Sequence, residues 1–493
     1  MLVRLAGAVM VAIVATVASA AGVAGVPTRA GAAPVAGGDS VVARLGRVAD
    51  GLTSDAFVGA NLLGEQQAFV VPGTVLTLSR PGQATVTVAA GLSDVAAGIS
   101  MRPAMPQPVG SGTKPMTAVA VLRLVEAGRL SLDTPLPVLA ARHRRDGGHL
   151  ARLVAAHRGR LRAVTLRELL AMTSGIADYD ESPGYGAALA AHPHRRFSLA
   201  RLASYGLELP AAFPPGAGRH TLYSNTNYVL AAMVAEATSG RPFEDLLRVV
   251  WRRAGMSGTS YGSPPGRPVC GYQAAYPAGT RLPAILRALA AGPTLTLERT
   301  PAALLQARAP GAERGPTTTI EAATAAQRRR YEGVDTWPLE ETGGAYRLLA
   351  IGGPAGGVSS TSEDLARFWR ALFSGHLLDP AMLRRLRAPV PAPPDAPGVT
   401  NFYGLGVQRQ DLARDALWPG SPPLRVWYKL GDVFGYTSAA YFVEGRPFDR
   451  WVVTNTTNLF PSPVGDLGLL RDTLRALRGR AASRGSSRPP ARW

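Results

Sequence analysis

The sequence predicts an α/β fold of the α+β kind, one layer built from both chain ends around an inserted, mostly helical domain. Three observations predict it. Strand-like alternation appears at 70–78 and 84–89 and returns only after residue 400. Helical periodicity dominates the stretch between. Amphipathic helices open and close the folded part, at 41–57 and 467–477. An order of helix and strands, then helices, then strands and a helix makes the terminal pieces share one layer.

Along the chain, Arg4, the apolar run 5–17 and Ala18-Ser19-Ala20 read as a signal peptide over 1–20, cut after Ala20. The alternative is an uncleaved anchor, although the run is short for a membrane span. Residues 21–40 form an Ala/Gly/Pro linker, and the strands 70–78 and 84–89 turn around Pro81-Gly82. Ser111 opens a helix over 116–127 that Gly128 closes. Thr165 and Glu168 make a capping box for a helix stopping at Thr173-Ser174-Gly175. Further helices span 227–238 and 361–373, each closed by a Ser-Gly pair. Strands follow at 403–408, 424–430, 437–443 and 451–455, then the helix 467–477.

These elements divide the chain into a catalytic domain over 41–470 and a tail over 471–493. The α/β part of the domain covers 41–130 and 345–470, and the helical insert covers 131–344. Two stretches lack a clear pattern. Residues 142–162, dense in Arg and His, read as a solvated excursion. Residues 264–342 are too long for a structureless loop, so part of them is expected to form helices.

The net charge of +19 favours anionic surroundings. The arginines are scattered without an aromatic-interleaved basic stripe, which argues against nucleic acid as a partner. The basic tail from Arg471 to Trp493 reads as a solvated terminus, with loose contact to an anionic cell envelope as the alternative. The single cysteine, Cys270, excludes an intramolecular disulfide and a lipid-attachment site. No cluster of carboxylates and histidines has metal-ligand spacing, so neither a metal nor another cofactor is expected.

Only two of the 53 basic residues Lys and Arg are lysines, Lys114 and Lys429. Coding bias toward arginine accounts for the scarcity, but a retained lysine can do what arginine cannot: lose its proton and act as a base. Lys114 stands one helical turn after Ser111, at a helix N-terminus that disfavours a protonated amine. Tyr223-Ser224-Asn225 precedes a helix and offers a phenol to relay a proton and an amide to hold a carbonyl. Lys429-Leu430-Gly431 ends a strand before Asp432. An edge strand there would bind an extended acyl group and lend an N–H to an oxyanion. Gly352 to Gly357 form a turn-rich segment.

Together these motifs resemble the serine β-lactamase and DD-peptidase superfamily of the class C type. The resemblance rests on Gly110 to Lys114 running into Thr117 to Leu122, on Glu126 to Asp133, on Thr165 to Leu170, and on Thr173 to Ile176. It continues in Tyr223-Ser224-Asn225, Gly255 to Ser260, Ala355 to Val358, Tyr403 to Gly406 and Gly435-Tyr436. It covers about 60–460, apart from 264–342.

The resemblance implies a β-lactamase/transpeptidase-like fold, with an antiparallel sheet flanked by the N- and C-terminal helices. It implies an exported serine hydrolase forming an acyl-enzyme on D-amino-acid peptide or β-lactam amide bonds, as a D-alanyl-D-alanine carboxypeptidase or β-lactamase does. The partner is then a small molecule or a peptidoglycan peptide. Ser111 would be the nucleophile, Lys114 and Tyr223 would share base and acid duties, and Asn225 would hold the substrate amide. The N–H groups of Ser111 and Asp432 would form the oxyanion hole, with Lys429 and Gly431 lining the substrate site. Lys429 would lower the Tyr223 pKa or bind a carboxylate. Two positions depart from the family pattern. Leu430 replaces a usual Thr, Ser or Gly, removing a hydroxyl suited to a carboxylate. Asp432 replaces a small residue, and would pair with Lys429 or repel an anionic substrate. The rival readings are an esterase on the same scaffold and a non-catalytic penicillin-sensing or wall-binding protein.

Overall fold

The computed structural model describes residues 40–54, 57–60, 66–69, 71–95, 97–192, 196–216, 221–263, 269–273, 307–308, 335–336, 352–392, 399–433, 435–460 and 467–478. Five helices and nine strands suffice to position the site. Helices α1 (Val41–Ser54) and α5 (Leu467–Leu477) are terminal, and α2 (Thr113–Glu126), α3 (Asn225–Ser239) and α4 (Ser362–Phe373) lie between. Strands β1 (Gly73–Ser79), β2 (Val86–Asp94) and β3 (Ile99–Ser100) precede the helical middle. Strands β4 (Val390–Ala392), β5 (Val399–Tyr403), β6 (Gln408–Leu412), β7 (Leu424–Val433), β8 (Tyr436–Glu444) and β9 (Trp451–Thr457) follow it.

All nine join one antiparallel sheet in the order β4-β5-β6-β7-β8-β9-β1-β2-β3. Each strand alternates its side chains between two faces, and each face is covered. On one face Tyr428, Tyr441, Val443 and Val453 pack with Leu45 and Ala49 of α1 and Leu470 and Leu474 of α5. On the other, Trp427, Phe442 and Val452 meet α4 and the helical part. There Phe373 stacks on Phe442 with ring centroids 4.3 Å apart.

The helical core is built around α2 and α3, both buried nearly all round, as their uniformly apolar and small residues require. The capping box is formed: Thr165 Oγ1 accepts from the Glu168 N–H, and the Thr165 N–H donates to Glu168 Oε2 at 2.8 Å. Such a cap contributes about 1 kcal/mol.

Three expectations change. Residues 142–162 are not a solvated excursion: they hold helices His149–Ala156 and Arg158–Leu161, with Leu150, Leu153, Val154 and Leu161 buried. Apolar residues at 150, 153 and 154 mark one helix face, which the surrounding arginines masked. Residues 403–408 are not one strand: Tyr403 ends β5, Gln408 begins β6, and 404–407 are the turn between them. Gly406 has φ +91°, and a Cβ there would lie 2.5 Å from Ala118 Cβ, so the glycines that imitate alternation make a turn against α2. Strand β7 continues three residues past Leu430 to Val433. The helices expected within 264–342, and the signal peptide, linker and most of the basic tail, lie outside the described residues.

Candidate active site

Ser111 sits in the 3₁₀ turn Gly110–Gly112 that leads into α2, Tyr223 and Asn225 come from the entry to α3, and Lys429 projects from β7. Turn and strand touch through glycine. A Cβ on Gly431 would lie 2.0 Å from the Val109 oxygen and 2.5 Å from the Gly112 nitrogen. Gly110, at φ +48°, packs on Asp432, where a Cβ would lie 2.5 Å from the Asp432 carbonyl oxygen. Ser438 Oγ of β8 donates to the Val109 oxygen at 2.8 Å and ties the turn to the sheet.

Strand β7 is internal as far as Tyr428, where its pairing with β6 stops. Among the described residues, it pairs from Lys429 to Val433 with β8 alone. The expected edge therefore exists, but only as an overhang of an internal strand, and it lies beside Ser111.

The side chains converge tightly. Ser111 Oγ is 2.5 Å from the Tyr223 hydroxyl and accepts from Lys114 Nζ at 2.9 Å. Lys114 Nζ also donates to Asn225 Oδ1 at 2.6 Å and to the Ala355 carbonyl at 3.0 Å, and its side chain is 0% exposed. Both ammonium groups face the Tyr223 ring, Lys114 at 4.7 Å and Lys429 at 5.0 Å from its centroid. Ser111, Tyr223 and Asn225 keep partial exposure and form the accessible wall.

Burial pushes the Lys114 pKa well below its ordinary value, and the charge of Lys429 adds to the push; Asp178 and Asp180 oppose it. Burial moves the Tyr223 hydroxyl the other way, well above its ordinary value, and the hydrogen bond with Ser111 offsets this only in part. The expectation that Lys429 lowers the Tyr223 pKa therefore does not describe the net effect: desolvation wins. Lys429 is itself pushed down to about 7 by burial.

Two other expectations meet a different geometry. Lys429 and Asp432 form no ion pair: Lys429 Nζ donates to Gln408 Oε1 at 3.1 Å, and Asp432 Oδ1 accepts from Thr437 Oγ1 at 2.8 Å. Three residues apart on an extended strand, they project from opposite faces. Leu430 also projects away from Ser111, packing against the cluster under α1 and α5. Asn225, expected to hold a substrate amide, already spends its amide inside the protein: Nδ2 donates to Asp178 Oδ2 at 3.0 Å and Asp180 Oδ2 at 2.8 Å.

Sequence reasoning missed Asp178, Asp180, Gln408 and the Ala355 carbonyl. The available signal was two acids two residues apart in a stretch otherwise rich in apolar and small residues, directly after Thr173-Ser174-Gly175-Ile176. Buried acids in such a stretch need partners. Among the described residues no group of three or more His, Cys, Asp and Glu could hold a metal ion.

The beta-lactamase family model matches residues 61–475. The chain belongs to the beta-lactamase family. It is thus a beta-lactamase-fold hydrolase by family and fold. Esterase EstB of Burkholderia gladioli is 35% identical over 185 residues, covering 34% of this chain and 42% of that protein. Protein flp of Staphylococcus aureus is 23% identical over 181 residues, covering 37% of this chain; the match spans about a third of that relative's length, 33%. Among solved structures, a D-stereospecific amidohydrolase from Streptomyces sp. is similar with a TM-score of 0.57 and 22% identity, covering 88% of this chain and 98% of its own. D-amino acid amidase from Ochrobactrum anthropi SV3, complexed with L-phenylalanine amide, has a TM-score of 0.58 and 20% identity, with the same coverage of 88% and 98%. At these identities the structures speak for the fold.

Proposed function

We propose that the protein is a serine hydrolase that forms an acyl-enzyme on Ser111 and acts on amide bonds of small D-amino-acid derivatives. The observation that carries this is the contact of Ser111 Oγ with both Lys114 Nζ at 2.9 Å and the Tyr223 hydroxyl at 2.5 Å. An amine with a lowered pKa is a competent base, whereas a phenol with a raised one stays protonated at neutral pH. Lys114 therefore takes the Ser111 proton as the hydroxyl attacks the carbonyl. Tyr223 relays a proton to the leaving amine. The N–H groups of Ser111 and Asp432 would serve the oxyanion, since Gly110, the residue before Ser111, packs against the Asp432 backbone. Water then attacks the acyl ester by the same proton path in reverse.

The amide reading draws support from the amidohydrolase and amidase among the similar structures. A second reading, an esterase on the same site, is favoured by the match to EstB. The N-terminal pattern ending in Ala18-Ser19-Ala20 supports export, and N-terminal sequencing of the secreted protein would test it.

The deciding experiment incubates the protein and a Ser111→Ala control with fluorescent penicillin, D-alanine p-nitroanilide and a p-nitrophenyl ester. Ser111-dependent anilide turnover supports the amide reading. Ester turnover alone selects the esterase. No label and no Ser111-dependent turnover would leave a non-catalytic binding protein.

A further inference from the structure

The Asn225 side chain is fully engaged inside the protein. Its Nδ2 carries two hydrogens, which go to Asp178 and Asp180, and its Oδ1 accepts from Lys114. A reversed amide would present its oxygen to two carboxylates and its nitrogen to an amine donor, so the acids fix its orientation. The two acids differ in place. Asp178 is fully buried and also accepts the Asn225 backbone N–H at 3.0 Å, so it belongs to the frame. Asp180 is only half-buried, and its own N–H donates to Asp178 Oδ1 at 3.2 Å. Of the two acids bound to Nδ2, it is the one that keeps contact with solvent.

We infer that Asp180 determines specificity by occupying the outer Nδ2 hydrogen of Asn225, so that the enzyme favours acyl groups without an acylamido carbonyl next to the scissile bond. This rests on Ser111 being the nucleophile and on Asn225 lining its acyl pocket. An acylamido carbonyl placed beside Asn225 finds both Nδ2 hydrogens already taken, and loses the hydrogen bond that would repay its desolvation. A plain alkyl group loses nothing there, and a free ammonium group gains an acceptor. A residue that only braced the loop would, when replaced, weaken all substrates alike.

Two esters with one leaving group isolate the effect: p-nitrophenyl butyrate and the p-nitrophenyl ester of N-acetyl-D-alanine. The full-length protein is expected to have the higher kcat/KM on the butyrate. Asp180→Ala is expected to raise the ratio of N-acetyl-D-alanyl to butyryl kcat/KM by about 3- to 10-fold, mainly through KM, as one freed hydrogen bond would. Asp180→Asn keeps an acceptor for Nδ2 and is expected to hold the ratio within about twofold of the parent. An unchanged ratio in Asp180→Ala, with turnover still lost in Ser111→Ala, overturns the inference and leaves the nucleophile standing. Turnover that survives Ser111→Ala, or none in the parent, overturns both.

Discussion

The Tyr223 hydroxyl lies 2.5 Å from Ser111 Oγ, while the Tyr223 ring faces the ammonium groups of Lys114 at 4.7 Å and Lys429 at 5.0 Å. Two lysine amines against one ring do not make a phenolate here, because burial raises the hydroxyl's pKa while it lowers that of Lys114. The roles then separate. Tyr223→Phe removes a relay and is expected to lower kcat by about 10²- to 10³-fold. Lys114→Met removes the base and is expected to lower acylation further. Lys114→Arg is expected to match Lys114→Met, since a guanidinium holds its proton. Pre-steady-state release of p-nitrophenol from an ester measures acylation in all three. A larger loss in Tyr223→Phe than in Lys114→Met would reverse the assignment.

How much of this site could be read from sequence depended on the range of the contact. Ser111 and Lys114 are one helical turn apart, so their proximity follows from local geometry, and the structure has them 2.9 Å apart. Alternation located β7, β8 and β9, because side chains on opposite faces meet different cores. It misled at Gly404-Leu405-Gly406, where glycine supplies the period without a strand. Assuming that β7 stopped near Leu430 hid the fact that Lys429 and Asp432 face apart. The bonds of Asn225 to Asp178 and Asp180 cross 47 and 45 residues of chain. No local period encodes such a contact, and only the difficulty of burying acids hints at it.

Gly431 is where strand and nucleophile turn press together. A Cβ would lie 2.0 Å from the Val109 oxygen and 2.5 Å from the Gly112 nitrogen, both of them backbone atoms that cannot swing away. Gly431→Ala is expected to cost about 1–3 kcal/mol of stability by overpacking. A shift of about 1 Å at Ser111 is expected to lower kcat/KM by about 10²-fold even well below the melting midpoint. Thermal unfolding and kinetics on the same sample separate the two losses. Unchanged kinetics would mean the turn does not depend on this contact.

Leu430 separates packing from recognition. Its side chain packs under α1 and α5, away from Ser111. Leu430→Thr is therefore expected to reduce stability by about 1–2 kcal/mol without creating a site for a substrate carboxylate. Denaturant unfolding and fluorescent-penicillin labelling are the two readouts. A gain in labelling of more than about tenfold would show that this position faces substrate after all.

On the proposed mechanism, the charge of Lys429 would set the pH range in which Lys114 acts as a base. Burial lowers Lys429 to about 7, so it gains charge as pH falls through neutrality. That charge lowers the Lys114 pKa further, resisting its protonation as the solution acidifies. Removing the charge must raise the Lys114 pKa, and the acid limb of kcat/KM moves to higher pH. Lys429→Gln is the suitable variant, because an amide still donates to Gln408 Oε1, which now accepts from Lys429 at 3.1 Å. The parent and Lys429→Gln are compared on an uncharged ester from pH 4 to 9, so that lost binding of an anion does not enter. A limb that stays in place or moves to lower pH would mean that Lys114 does not sense Lys429, and that the acid limb belongs to another group.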